Sequence, residues 1–264
     1  RSWNGFSWSS SQRASGYSSA RRRMVSRARP AGVRGRATSL VCRGVTTVEL
    51  DLVLGEADDP AAFGAGPLRA AVTAAGGDVV WWVHGTEARH EEAAARAGLV
   101  ASRRLLQMRC PLPPEATTDL VTRRFRPGED DEAWLVVNNR AFSWHPEQGG
   151  WDAAVLAGRM AEPWFDPEGF LLHEADGRLA GFCWTKVHPG DPPLGEIYVI
   201  AVDPDFVGRG LGRALTVAGL AHLAAEGLTV GMLYVESDNT PAVTLYRTLG
   251  FHTHQTDTAF TPHP

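Results

Sequence analysis

The chain has 264 residues, 44% of them hydrophobic and 21% charged, with a net charge of −4. That suits one large globular domain or two ordinary ones, and the acidic balance argues against a general nucleic-acid binder. No apolar run is long enough to cross a bilayer, no secretory leader is visible, and Cys42, Cys110 and Cys183 make neither a zinc spacing nor a disulfide framework, so a reducing cytoplasm and a monomer are expected.

Residues 1–44, rich in Ser, Arg and Gly, lack any sustained apolar period and read as a low-complexity, disordered leader. Then the texture changes. "TTVELDLVL" (46–54) predicts a strand, "GPLRAAVTAAGG" (66–77) a helix, "VVWWVHG" (79–85) a strand, "EARHEEAAARAG" (87–98) a helix stopped by Gly98, and "LVASRRLLQMRC" (99–110) a strand. The proline-rich 113–119 stretch is the expected linker between a 45–112 domain and a 120–264 domain.

The second half continues with a strand at "LVTRRF", helices at "EDDEAWLVVNNRAF" and "WDAAVLAGRM", and a hairpin "FLLHE–ADGR–LAGFCWTKVH". A strand "LGEIYVIAV" (194–202), a glycine-rich loop and a helix to about Ala225 follow. A strand at 228–236, a helix at 240–250 and a terminal strand at 251–261 complete a mixed α/β fold. His252 and His254 are two apart on the last strand, which reads as an exposed strand face; no metal site is expected.

An internal repeat is visible. Residues 80–99 lie without a gap on 232–251, and both read strand, turn, helix, Gly, strand. Two copies of one fold are therefore expected, the first incomplete.

The chemistry concentrates in "VGRGLGRAL" (207–215). Gly208, Gly210 and Gly212 let the backbone turn tightly and bring its N–H groups close to a ligand. The following helix N-terminus adds aligned donors, and Arg209 and Arg213 add charge. The plain alternative is a turn that merely joins strand to helix. Gly212-Arg213-Ala214 lacks the Lys-Ser/Thr of a Walker loop, and the loop follows the fourth strand, not the first strand of a dinucleotide fold.

The pattern resembles the acyl-CoA site of the GCN5-related N-acetyltransferases, whose signature is Gln/Arg-x-x-Gly-x-Gly/Ala. Here Val207 replaces the first Gln/Arg. The segments 138–151, 164–174, 177–188, 194–204 and 232–251 further resemble tandem-domain members of that superfamily, which acetylate the cysteinyl amine of a cysteinyl–glucosaminyl–inositol conjugate. The resemblance implies acetyl-CoA as cosubstrate, held by Val207, Gly208, Arg209, Gly210, Leu211, Gly212, Arg213 and Asn239, with backbone groups of Ile200, Ala201 and Val202 as thioester contacts. It implies Glu196 as general base, Tyr246 as general acid, and Glu147, Lys186, Glu196 and Tyr234 as acceptor contacts, with neither nucleic acid nor membrane as partner. Another amine, a protein N-terminus or a non-catalytic acyl-CoA-binding role remain alternatives.

The repeat makes the first half look non-catalytic. Tyr246 falls on Ala94 and Asn239 on Glu87, while Glu56, Asp58 and Asp59 stand where a pyrophosphate cradle would need neutral or positive groups.

Overall fold

The computed structural model describes residues 35–42, 45–76, 78–145 and 148–263. The chain forms two compact units. One is Gln107–His254; the other combines the described residues up to Leu106 with the segment from Gln255 onward. The division therefore does not fall in the proline-rich stretch 113–119. It falls inside β4 (Leu99–Pro111) and β10 (His252–Pro262), two long strands that each run through it. Sequence alone sees such a strand as one element and looks for a boundary in the next loop.

In the Gln107–His254 unit the strand order is β4, β9 (Val230–Glu236), β8 (Leu194–Val202), β7 (Arg178–His188), β6 (Phe170–Ala175) and β5 (Arg123–Arg124). β5 to β8 are antiparallel, and β8 with β9 is parallel. The β6–β7 turn uses Asp176 and Gly177, both at positive φ, where Asp and Gly are the tolerated residues. α4 (Asp131–Ala141) and α5 (Ala153–Met160) cover one face. Their Trp134, Val137 and Leu156 join Phe170, Phe182, Trp184, Tyr198 and Val199 in one core cluster. Phe170 stacks on Trp184 at 4.3 Å between ring centroids, with an interplanar angle of 6°.

α6 (Leu211–Ala225) covers the opposite face. It comes unusually close at Gly219, where an added Cβ would lie 2.5 Å from Cys183 Sγ and 2.7 Å from Ile197 Cδ1. Burial pushes the Cys183 thiol pKa well up, which leaves it a small apolar filler.

In the other unit β1 (Gly35–Cys42) pairs antiparallel with β2 (Val45–Leu52), β2 runs parallel to β3 (Val79–Val83), and β10 pairs antiparallel with β3. β1 falls within the 1–44 stretch read as a low-complexity leader; its partner β2 supplies backbone hydrogen bonds that an apolar pattern does not reveal. Residues 1–34 lie outside the described residues. A helical run follows: α1 (Pro60–Phe63), a π-turn Gly64–Leu68 and α2 (Arg69–Ala75). α3 (Ala88–Ala97) lies against it at Gly64, where a Cβ would sit 2.2 Å from the Ala93 carbonyl oxygen. The core centres on Trp81, with Phe63 at 6.0 Å and Phe260 at 5.5 Å, and its indole N–H donates to the Leu52 carbonyl.

The two units repeat one element pattern. β3–α3–β4 matches β9–α7–β10, with α7 spanning Thr240–Thr248. The predicted register holds at the helix ends: Glu87 and Asn239 are the two N-caps, and Gly98 and Gly250 carry φ of 82° and 86° after the two helices.

Candidate active site

β8 carries the site's central geometry. It is paired with β7 through Val202. Toward β9, among the described residues, the ladder holds only Gly195 with Gly231 and Glu196 with Met232. Beyond that point the strands part. Because backbone N–H groups alternate sides along a strand, some in the 197–202 stretch face the resulting gap. Ile200, Ala201 and Val202 lie there, all buried.

Beyond the end of β8, Asp203 caps a 3₁₀ turn over Pro204–Phe206, and Arg140 of α4 bridges Asp203 at 3.0 Å and Asp205 at 3.1 Å. This pins the entrance of the glycine loop. Gly208 and Gly210 hold φ of 88° and 77°, and Gly210 is the N-cap of α6 with no side chain to cap it. The first N–H groups of α6 are thus left to a ligand. A cleft of about 230 Å³ opens here, lined by Val202, Phe206, Val207, Gly208, Gly210, Leu211, Gly212, Arg213 and Leu245.

Arg209 does not line that cleft. Its guanidinium lies over the Phe206 ring at 4.7 Å and 3.4 Å from Asp176. Asn239 is also outside the lining; its Oδ1 accepts from Ala242 N at 3.3 Å and caps α7. In the other unit, carboxylates stand at the segment that follows β2. Asp59 accepts from Ala61 N at 3.0 Å and caps α1, and Asp58 accepts from Gly55 N at 2.7 Å, so carboxylates already occupy the donors.

Glu196 is fully buried, and Lys186 is its register partner on β7. The Lys186 ammonium lies 4.5 Å over the ring of the half-buried Trp164 and 5.5 Å over Tyr198. Burial lowers its pKa, with Glu196 working in the opposite direction. The pairing of Glu196 with Met232 puts Tyr234, two residues on, on the same sheet face as Glu196. Tyr234 Oη receives a 2.6 Å hydrogen bond from Gln107 Nε2, and Arg109 Nε donates to Gln107 Oε1 at 2.9 Å. Glu147 lies outside the described residues.

Tyr246 is fully buried on α7. Burial pushes its phenol far above the ordinary value, and the neighbouring Cys183 adds to the effect. Cys183 is the register partner of Ile200, so the phenol lies beside the stretch of β8 that borders the gap.

Three contributors escape a reading of the sequence. His188, at the end of β7, places Nε2 2.6 Å from Glu196 Oε2. Trp164 covers Lys186, and Leu245 lines the cleft. His188 had one usable signal: it is two residues from Lys186 and so shares its strand face. Among the described residues no group of three or more His, Cys, Asp or Glu side chains is placed to hold a metal ion, and no helix is long and apolar enough to cross a membrane. His252 and His254 are exposed on β10.

A sheet splayed beside an uncapped, glycine-led helix start defines a class. Residues 132–251 match the acetyltransferase (GNAT) family. The GCN5-related N-acetyltransferase from Sphaerobacter thermophilus superposes with a TM-score of 0.65 at 19% identity, covering 86% of this chain and 76% of that one. A tandem GNAT protein from the clavulanic acid biosynthesis pathway gives 0.60 at 18% identity, covering 89% and 82%. The fold is that of the GCN5-related N-acetyltransferases.

A mycothiol acetyltransferase from Thermomonospora curvata is 51% identical over 203 residues, which is 75% of this chain and 68% of the relative. The chain belongs to the mycothiol acetyltransferase family. It spans 60–68% of the length of the first curated relatives it matches.

Proposed function

We propose that the protein transfers acetyl from acetyl-CoA to the cysteinyl amine of a cysteinyl–glucosaminyl–inositol conjugate, the last step of mycothiol biosynthesis. The observation that carries this reading is a fully buried carboxylate, Glu196, at the last paired position before β8 and β9 part, beside a helix start whose donors are uncapped. The backbone N–H groups of the 207–213 loop and the Arg213 charge suit a pyrophosphate. Bound acetyl-CoA would supply the thioester to be attacked.

An α-amine has a reference pKa near 8, so part of it is neutral at neutral pH and a modest base suffices. Glu196 takes the amine proton. A backbone N–H in the 200–202 stretch polarises the thioester carbonyl. Tyr246, held protonated by burial, gives its proton to the departing thiolate. Lys186, Tyr234 and Glu147 hold the acceptor's hydroxyls; the first two share the sheet face of Glu196.

The arrangement is a tandem one in which the first unit is degenerate and holds no acetyl-CoA. Support comes from the repeated element pattern and from Asp58 and Asp59, which satisfy the N–H groups a pyrophosphate would need and would repel it.

The test is thiol release from acetyl-CoA with the cysteinyl acceptor against a panel of simple primary amines. Strong preference for the cysteinyl acceptor is expected. Equal rates on all amines would point to a general small-amine acetyltransferase, and acetyl-CoA binding without turnover to a binding protein.

A further inference from the structure

Glu196 raises a physical problem. A carboxylate with no exposure is driven toward its neutral form unless a donor holds it ionised, and a neutral carboxyl is no base. His188 stands at the answer. Its Nε2 is 2.6 Å from Glu196 Oε2, with 22% of the imidazole side chain exposed against none of the carboxylate. A carboxylate that acts as a base is ionised and has no proton to give, so with Glu196 as base the imidazole is the donor in this bond. The distance is that of a short charge-assisted bond.

We propose that His188 is the positioning residue of the base: it donates Nε2–H to Oε2 of Glu196, favours the charged form of the carboxylate and fixes its orientation. This rests on the reading of Glu196 as general base. His188 itself touches no reacting atom; it works through Glu196, and its partly exposed ring ties the buried carboxylate to the solvent side of β7.

Other charges stand near the pair. From β7, Lys186 faces Glu196 across the ladder, but its ammonium is seated over Trp164 and Tyr198. From α5 and the turn after it, Arg159 and Glu162 act on Lys186 with opposite signs. These groups set a background potential. The 2.6 Å bond from His188 is directional and bears on one oxygen. Its loss removes a hydrogen bond that the charged form accepts, and with it the fixed orientation of the carboxylate.

The experiment uses the full chain with acetyl-CoA and the cysteinyl glucosaminyl-inositol acceptor. Thiol release is followed over a wide pH range for wild type, His188→Ala, His188→Gln, Glu196→Gln and the Ala/Gln double variant. Thermal melting monitors folding. For His188→Ala, kcat is expected to fall roughly 10-fold or more, with the KM for acetyl-CoA nearly unchanged. His188→Gln, whose amide keeps an N–H donor, is expected to recover much of the rate. In the Glu196→Gln background, His188→Ala is expected to add little further loss, because both act through one group.

A wild-type rate and profile in folded His188→Ala overturns the proposal while leaving Glu196 as base. Equal losses in the Ala and Gln variants also overturn it and reduce His188 to a structural residue. If His188→Ala does not fold, His188→Leu, which fills the space and donates no hydrogen bond, takes its place in the same comparison with Gln. An active Glu196→Gln variant defeats the reading of the base itself, a distinct result.

Discussion

Glu196 stands opposite Met232 at the last paired position of the β8–β9 ladder. Below that point the parallel strands are joined; above it they part toward the cleft lined by Val202 and the glycine loop. A carboxylate at the fork is fully buried and held in place by strand pairing, at the point where the strands begin to part. This is the arrangement a base needs if an amine is to meet a thioester there.

Glu196→Gln keeps the shape of the side chain and removes its basicity. The expected result is a fall in kcat of about 10²-fold or more, the scale of a lost general base. Acetyl-CoA affinity is expected to stay near wild type, because the glycine loop is a separate element. Thiol-release kinetics and calorimetric titration with acetyl-CoA check the two halves. A wild-type turnover number removes Glu196 from the mechanism.

Gly210→Ala tests the loop by backbone conformation alone. Nothing lies within 4 Å of an added Cβ, yet the residue holds φ of 77°. Forcing a side chain into the left-handed region costs about 1–2 kcal/mol. Relaxation of that strain turns the first N–H groups of α6, so the KM for acetyl-CoA is expected to rise about 10-fold, the equivalent of about 1.4 kcal/mol, with kcat changed far less. An unchanged KM and unchanged affinity would mean the pyrophosphate is held elsewhere.

Most elements were legible because their patterns are local. The alternation in β3, the glycine stops of α3 and α7 and the "ADGR" turn each sit within a few residues. The glycine loop was legible for the same reason. What escaped depends on partners far along the chain. β4 and β10 divide between two units, which only tertiary contacts decide. Arg209 reads as a phosphate ligand beside its glycines, yet Asp176, 33 residues away, and Phe206 hold it. His188 ends the predicted strand "LAGFCWTKVH" with nothing in the sequence to single it out, until antiparallel pairing brings Glu196 against it.

The unit that contains β3 depends on a carboxylate from the end of the chain. Asp257 is buried, and burial pushes its pKa up. Hydrogen bonds from His84 at 2.7 Å, Gln255 at 2.6 Å and Gly85 N at 3.0 Å outweigh this and hold it below the usual carboxylate value. A depressed folded-state pKa means the stabilisation is complete above the unfolded value near 3.9 and disappears as pH falls below it through the folded value. Asp257→Asn is expected to lose about 1–3 kcal/mol at neutral pH, the penalty for upsetting a buried charged hydrogen-bond set. The gap between variant and wild type is expected to close as pH drops below about 4, read by denaturant melts at several pH values. A gap that does not depend on pH would assign the loss to packing.

Tyr246 offers a test of the departing group. The phenol is fully buried beside Cys183, whose register partner Ile200 borders the gap in the sheet. Burial pushes its pKa above the ordinary phenol value, so it stays protonated through the ordinary assay range. Tyr246→Phe preserves the ring that packs against Phe251 at 5.6 Å, and stability is expected to change by about 1 kcal/mol or less. Turnover is expected to fall about 10²-fold, in line with loss of a general acid. Because burial keeps the phenol protonated, the basic limb of the pH profile is expected to stay where it is in wild type. A basic limb that disappears in the Phe variant would show that the phenol titrates in that range and is not the sealed donor described; an unchanged kcat would show that the thiolate leaves without its help.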